Sequence, residues 1–142
     1  MYMLGFILGR SMCMINSNAF DYINVLDKAA DAAWLRNEVI SNNIANADTP
    51  GYKRQDVDFE SQLEKALGRA GADNMDAKVA SLRSRQLEAT THSDFSEYDY
   101  RLDENNVDIQ VENVNLAKNQ LKYNGLMTSV RMEFQNLVNA MK

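Results

Sequence analysis

Two stretches of this 142-residue chain, one towards each end, carry apolar residues in alternating steps of three and four, and a polar middle separates them. That spacing is the strongest constraint on the fold. Side chains repeating at this interval line one face of an α-helix, and a face that apolar must be buried against another helix. The first series runs Ile23, Leu26, Ala30, Ala33, Asn37, Ile40, Ile44, and Ala29, Ala32, Trp34 and Val39 widen it. The second runs Leu116, Tyr123, Met127, Val130, Phe134, Leu137, Met141, with Gln120 filling one slot and Val114, Ala117 and Leu121 adding a strip. The spacing predicts a mainly α fold. Its long N- and C-terminal amphipathic helices pair as an antiparallel hairpin or coiled coil, around a mobile, partly extended middle segment.

The boundaries follow from local chemistry. No Gly or Pro interrupts Asn18 to Ala47, and Asp21 supplies negative charge near the helix start. Thr49-Pro50-Gly51-Tyr52 then stops the helix: Pro presets the first central position of a type II turn, and Gly accepts positive φ at the second. Lys53 to Phe59 reads as extended or loop, and Glu60 to Leu67 as a brief helix ended by Gly68. Asp108 is the expected N-cap of the C-terminal helix, with Glu112 in its first turn. Gly125 weakens that helix without ending it. The organisation expected is therefore an extension over 1–17, a helix–turn–short helix unit over 18–67, a variable mobile segment over 68–106, and a helix over 107–142. Within the middle segment, Met75 to Glu88 is expected to be helical in part, Thr90 to Asp94 reads as a polar loop, and Tyr98 and Tyr100 alternate as in a short strand. Residues 1–17 read either as disordered or as an over-extended start, with Met12 or Met14 as the first residue. A cleaved secretory signal fits poorly, because Arg10 follows the apolar run instead of preceding it.

Composition excludes several function classes. A net charge of −5 without any Lys/Arg cluster does not suit a nucleic-acid surface. Cys13 and His92 are the only residues of their types, which leaves no internal disulfide and no His/Cys metal set. No apolar run approaches the ~20 residues of a membrane span. His92-Ser93-Asp94 supplies the residue types of a catalytic triad, but neighbours in sequence do not have triad geometry. No phosphate-binding Gly-rich loop accompanies them. The expectation is a protein without catalytic site, cofactor or metal. A two-helix hairpin with seams this wide would leave apolar surface wet, which points to association with further subunits.

The run Ser41-Asn42-Asn43-Ile44-Ala45-Asn46-Ala47-Asp48-Thr49-Pro50-Gly51-Tyr52-Lys53-Arg54, followed by Val57-Asp58-Phe59-Glu60, resembles the N-terminal signature of the axial proteins of the bacterial flagellum. Asn105-Asn106-Val107-Asp108 and Leu116-Ala117-Lys118-Asn119-Gln120-Leu121-Lys122-Tyr123-Asn124 narrow the resemblance to the basal-body rod proteins, and within them to the proximal rod type. Thr91-His92 sits where that type tends to carry Thr and His. The resemblance covers about residues 20–67 and 103–142. The family commonly has glycine where this chain has Glu104, so the turn leading into the second helix is expected to differ.

The resemblance implies a structural subunit of the periplasm-spanning rod, exported by the flagellar type III apparatus. Its implied partners are other rod subunits including its own copies, the small adaptor joining rod to membrane ring, and the export gate. Asn42, Asn43 and Asn46 are candidates for bonds between subunits, or for helix capping. Thr49, Pro50 and Gly51 form a turn that the assembly uses. Tyr52 serves either as an anchor between subunits or as an intrachain contact. Leu116, Tyr123, Met127, Val130, Phe134 and Leu137 are candidates for both hairpin core and polymerisation surface. Asn37 and Gln120 either set the seam register or face solvent. A soluble helical adaptor or export chaperone is the competing reading.

Overall fold

A computed structural model describes residues 18–70, 74–82, 87–93 and 104–142. The elements are α1 (Asn18–Ala45), β1 (Gln55–Asp58), α2 (Glu60–Arg69), α3 (Met75–Ser81), β2 (Thr90–Ser93) and α4 (Ile109–Ala140). At ~1.5 Å per residue, α1 is about 42 Å long and α4 about 48 Å. The two pack antiparallel. Asn43 meets Glu112, Asn37 meets Asn119, and Trp34 meets Tyr123, so positions descend along α1 as they rise along α4. The extension 1–17 and the expected strand at Tyr98 and Tyr100 lie outside the described residues.

Both ends of the hairpin turn as their residue types require. Gly51 has φ +71°, and the Tyr52 N–H donates to the Thr49 carbonyl at 3.3 Å, closing the Thr49–Tyr52 turn. Asp108 caps α4, its carboxylate accepting from the Gln110 and Val111 N–H groups at 2.8 and 3.3 Å. Glu104, the position at which the entering turn was expected to differ, adopts φ +62°. A side chain is therefore held in the left-handed region at a cost of about 1–2 kcal/mol. Glu104→Gly should raise the melting temperature by about 3 °C, the relief of strain outweighing the extra unfolded-state entropy. Thermal unfolding followed by circular dichroism measures this directly.

The middle segment carries more regular structure than its composition suggests. The polar run Thr90–Ser93, expected as a loop, is a strand pairing antiparallel with β1, in the register Gln55↔Ser93 to Asp58↔Thr90. Two β-branched threonines fit a pleated ribbon once a partner strand exists, which local polarity does not reveal. α2 runs through Gly68 to Arg69, two residues further than expected. α3 is capped by the Asn74 side chain, which accepts from the Ala77 N–H at 2.8 Å. Tyr22 ties it to α1 by donating to Asp76 at 2.7 Å.

α1 consequently has two buried faces. One meets α4. The other, through Ala32 with Val25 and Ala29, packs on Phe59 and Leu87, with Leu63, Ala66, Leu82 and Ala89 around them. The middle segment thus contributes Leu82, Leu87 and Ala89 to the small core.

Candidate assembly surface

Most of the Asn-rich signature turns inward. Asn43 is 0% exposed and uses all of its amide valences within the chain. Its Nδ2 donates to the Gln55 carbonyl (2.8 Å) and to Glu112 Oε2 (3.1 Å). Its Oδ1 accepts from the Gln55 N–H (3.0 Å) and the Tyr52 hydroxyl (3.2 Å). Glu112, 1% exposed, also takes the Arg54 guanidinium at 2.8 Å. This node joins the end of α1, the Tyr52–Gln55 segment and the first turn of α4. Asn43 and Tyr52, candidates for contacts between subunits, are spent on holding the hairpin closed. Burial and the charge on Glu112 both raise the Tyr52 phenol, burial more, so the hydroxyl stays a donor.

A second latch lies beside it. Asn105, also fully buried, donates through Nδ2 to the carbonyls of Asn46 (3.0 Å), Ala47 (2.9 Å) and Thr49 (2.9 Å), and accepts the Val107 N–H (2.8 Å). These carbonyls belong to the descending chain just past the end of α1, so Asn105 fastens the Thr49–Tyr52 turn to the segment that enters α4. The Asn46 side chain bonds back to the Asn42 carbonyl at 2.8 Å, as a local cap. Asn42, Thr49, Pro50 and Gly51 remain exposed. The sequence offered no signal that Glu112 and Asn105 would be buried, beyond their place in the motif around Asn105-Asn106-Val107-Asp108.

The seams divide differently. All seven α1 positions predicted to face α4, from Ile23 to Ile44, are buried or half-buried. On α4 the inward set is Glu112, Leu116, Asn119, Tyr123, Leu126, Val130, Glu133 and Leu137. Leu116, Tyr123, Val130 and Leu137 are therefore correctly placed, but every second position lies one residue earlier than predicted. Asn119 replaces Gln120, which is exposed, and Leu126 replaces Met127. Asn119 donates to the Ala33 carbonyl (2.7 Å) and to Asn37 Oδ1 (2.9 Å), so Asn37 and Asn119 are the polar pair that sets register. Asn119 thus gives both amide hydrogens to α1, while its own Oδ1 is buried without a hydrogen-bond partner among the described residues.

The one-residue shift leaves apolar side chains outside. Met127 (43%), Phe134 (50%) and Trp34 (64%) are exposed along one flank of the α1–α4 contact, with Phe20 near its end. Trp34, predicted to widen the buried face, instead lies 6.3 Å from the Tyr123 ring at a tilt of 51°. A second exposed stripe, Val114, Leu121 and Met132, runs along the side of α4 facing away from α1, since these positions recur every seven to eleven residues.

On the other flank, between the β1–β2 ribbon and α4, lies a cleft of about 550 Å³ lined mainly by charged and polar residues of both signs, among them Arg36, Arg54, Lys118 and Lys122 with Asp56 and Asp58. Arg36 grips Glu60 through two nitrogens (2.8 and 2.6 Å), and Lys122 bonds the same carboxylate. The Arg36 contact, helped by Lys122 and opposed by partial burial, holds the Glu60 carboxyl well below the usual carboxylate range. A depressed folded-state value adds stability above the unfolded value of ~4.3 and loses it as pH falls further. Glu60→Gln should therefore lower the urea midpoint at pH 7, and the difference from wild type should shrink steadily below about pH 5. Half-exposure of Glu60 keeps the effect modest and salt-sensitive. His92 pairs with Asp56 in the ribbon, its side chain is exposed and has no hydrogen-bond partner among the described residues, and Asp94 lies outside them.

Comparison with known proteins adds the family. A family model described as flagella basal body rod protein matches residues 23–53, which span the inner seam of α1, Asn43 and the Thr49–Tyr52 turn. The chain is 32% identical over 127 residues to the flagellar basal body rod protein FlgB of Bacillus subtilis, covering 81% of this chain and 88% of that protein. It is 34% identical over 116 residues to FlgB of Escherichia coli (75% and 83%), and 32% over 114 residues to that of Yersinia enterocolitica (75% and 83%).

Proposed function

Because the chain belongs to the FlgB family of flagellar basal body rod proteins, we propose that it is a proximal rod subunit that polymerises through its two terminal helices. In that position it links the membrane ring, through the ring adaptor, to the distal rod and hook, and carries torque between them. It leaves the cell by the type III apparatus, meets the export gate there, and catalyses nothing.

The observation that carries this reading is the apolar surface left on the closed hairpin. Phe20, Trp34, Met127, Phe134 and Val138 are exposed although the intrachain seam is complete. Exposed apolar side chains in this density mark a protein–protein surface. Each subunit's helices are thus half-buried by their own chain and finished by neighbours, so assembly supplies burial that the isolated chain lacks. Exposed Met127 and Phe134, with the tip Thr49-Pro50-Gly51 and Asn42, are the residues assigned to contacts between subunits. Leu116, Tyr123, Val130 and Leu137 hold the hairpin that presents them.

Gly125 lies on the outer stripe with Leu121 and Met132, and a methyl group added there meets nothing within 4 Å in the single chain. Gly125→Ala should stabilise the isolated protein by about 1 kcal/mol in urea unfolding, through helix propensity alone. If the outer stripe meets a neighbouring subunit, the same change should reduce motility in a swimming assay.

The test of the function is deletion of the gene in its own bacterium, with electron microscopy of isolated basal bodies. Membrane rings without rod or hook, and motility restored by the wild-type gene, are expected. Normal rods in the deletion strain would overturn the reading.

A further inference from the structure

The two halves of α4 are held differently. The N-terminal half is tied to the rest of the chain by side-chain hydrogen bonds: Glu112 to Arg54 and Asn43, Asn119 to the Ala33 carbonyl and Asn37, Lys122 to Glu60. Beyond Lys122, among the described residues, such bonds to other elements stop, and packing holds the helix to α1.

That packing does not favour the phase observed. Glu133 is half-buried on the inner face with no hydrogen-bond or ion-pair partner among the described residues, while Phe134 beside it is 50% exposed. Leu126 likewise lies inward, and Met127 beside it is 43% exposed. A turn of roughly 40–50° about the helix axis exchanges the members of each pair and keeps Val130 and Leu137 inward. It takes a carboxylate out to water and an aromatic ring in from it, and both changes are favourable. Glu112 and Asn119 oppose it, because their bonds to the rest of the chain belong to the observed phase.

The junction between the halves is the most yielding part of the helix. Gly125, the only glycine of α4, stands just after the last of these bonds. Thr128 and Ser129 donate back to the Asn124 and Gly125 carbonyls at 2.8 and 3.0 Å. Hydroxyls bonded back one turn loosen and bend a helix, and glycine lowers the resistance of the backbone to twist. Spread over about two helical turns, the rotation amounts to about 6° per residue, within the ~15–20° scatter of real helices.

We propose that α4 is a two-position element whose C-terminal half, from Leu126 onward, rolls about its own axis. In the observed phase Met127 and Phe134 stand on the exposed flank; in the second phase they are buried against α1, and Leu126 and Glu133 turn outward. Rolling withdraws the apolar flank, so a free subunit covers part of its own contact surface with its own helix. A partner that binds Met127 and Phe134 selects the observed phase, because it has affinity for that phase alone. The inference rests on the rod-subunit reading only for the identity of that partner.

Two substitutions in the purified protein test it, read by urea unfolding and by methionine methyl NMR with a soluble paramagnetic agent. Val130 is inward in both phases, Leu126 in one. Val130→Gln should therefore lower the urea midpoint about threefold more than Leu126→Gln, which escapes burial by rolling. In wild type the Met127 and Met132 methyls should be enhanced alike, their residues being 43% and 56% exposed. In Leu126→Gln the enhancement at Met127 should fall about threefold against Met132, which faces away from α1 in both phases. Adding Glu133→Leu gives the observed phase an apolar side chain in place of the carboxylate, and should return Met127 towards its wild-type enhancement. Equal midpoint losses from Leu126→Gln and Val130→Gln would overturn the inference. So would a Met127 methyl as exposed as Met132 in Leu126→Gln, or one that stays protected after Glu133→Leu is added. None of these results touches the rod-subunit reading, which is decided by the gene deletion.

Discussion

Glu112→Ala is expected to cost about 3 kcal/mol and to move the urea midpoint of the purified protein down by more than about 1 M. The carboxylate is 1% exposed, and it is the shared acceptor for Arg54 Nε at 2.8 Å and Asn43 Nδ2 at 3.1 Å. Truncation leaves the guanidinium, itself only a fifth exposed, facing a cavity, and frees one donor of a fully buried amide. The loss is large because the partners stay desolvated after the acceptor has gone, not because the intact pair adds much net energy. Glu112→Leu combined with Arg54→Met should therefore recover a large part of the loss, though not all, since Arg54 also holds Asp56 at 3.1 Å. A double variant as unstable as Glu112→Ala would mean that the ion pair itself holds the hairpin. Against a total of roughly 5–15 kcal/mol for a domain, 3 kcal/mol leaves a hairpin prone to open. Opening moves α4 relative to α1 and disperses the flank on which assembly depends.

Asn105→Ala should come next, at about 2–3 kcal/mol in the same measurement. One amide there satisfies carbonyls at three successive points of the descending chain and takes the Val107 N–H in return. Alanine removes these bonds, two of which, to the Ala47 carbonyl and from the Val107 N–H, lie in buried surroundings. Asn105→Asp offers a sharper contrast. The acceptor for Val107 is retained, but a carboxylate is set against three carbonyl oxygens, so the variant should be no more stable than alanine at pH 7. A midpoint within error of wild type for either variant would show that the latch contributes little. The neighbouring strain acts oppositely: Glu104 holds a positive φ so that Asn105 can reach the α1 terminus, which is why glycine at 104 is expected to help rather than hurt.

Both predictions concern residues whose types looked like surface chemistry in the sequence. Asn43 and Tyr52 were candidates for bonds between subunits, yet the pair is consumed within one chain. An amide's partners cannot be read from its own position, because in this fold they arrive from residues 52–55 and 112. The same limit explains Thr90–Ser93: a polar tetrapeptide becomes a strand only because β1 lies beside it.

What the sequence by itself determined is the hairpin. Steps of three and four are a property of each helix alone, and Pro50-Gly51 and Asp108 act on backbone within a few residues of themselves, so these signals needed no partner to be legible. The flagellar signature was legible for the same reason, as an ordered run of residue types. What only the tertiary structure decided is the phase of α4, and with it which side chains are core and which are surface. Leu116, Tyr123, Val130 and Leu137 fit either of two seams that differ by one residue at every second position. In the folded chain the Ala33 carbonyl and Asn37 Oδ1 accept from Asn119, and Gln120 is left exposed. A rotation of roughly 40–50°, about half the step between successive residues, carries Met127 and Phe134 from the seam to its exposed flank while the four shared positions stay inward.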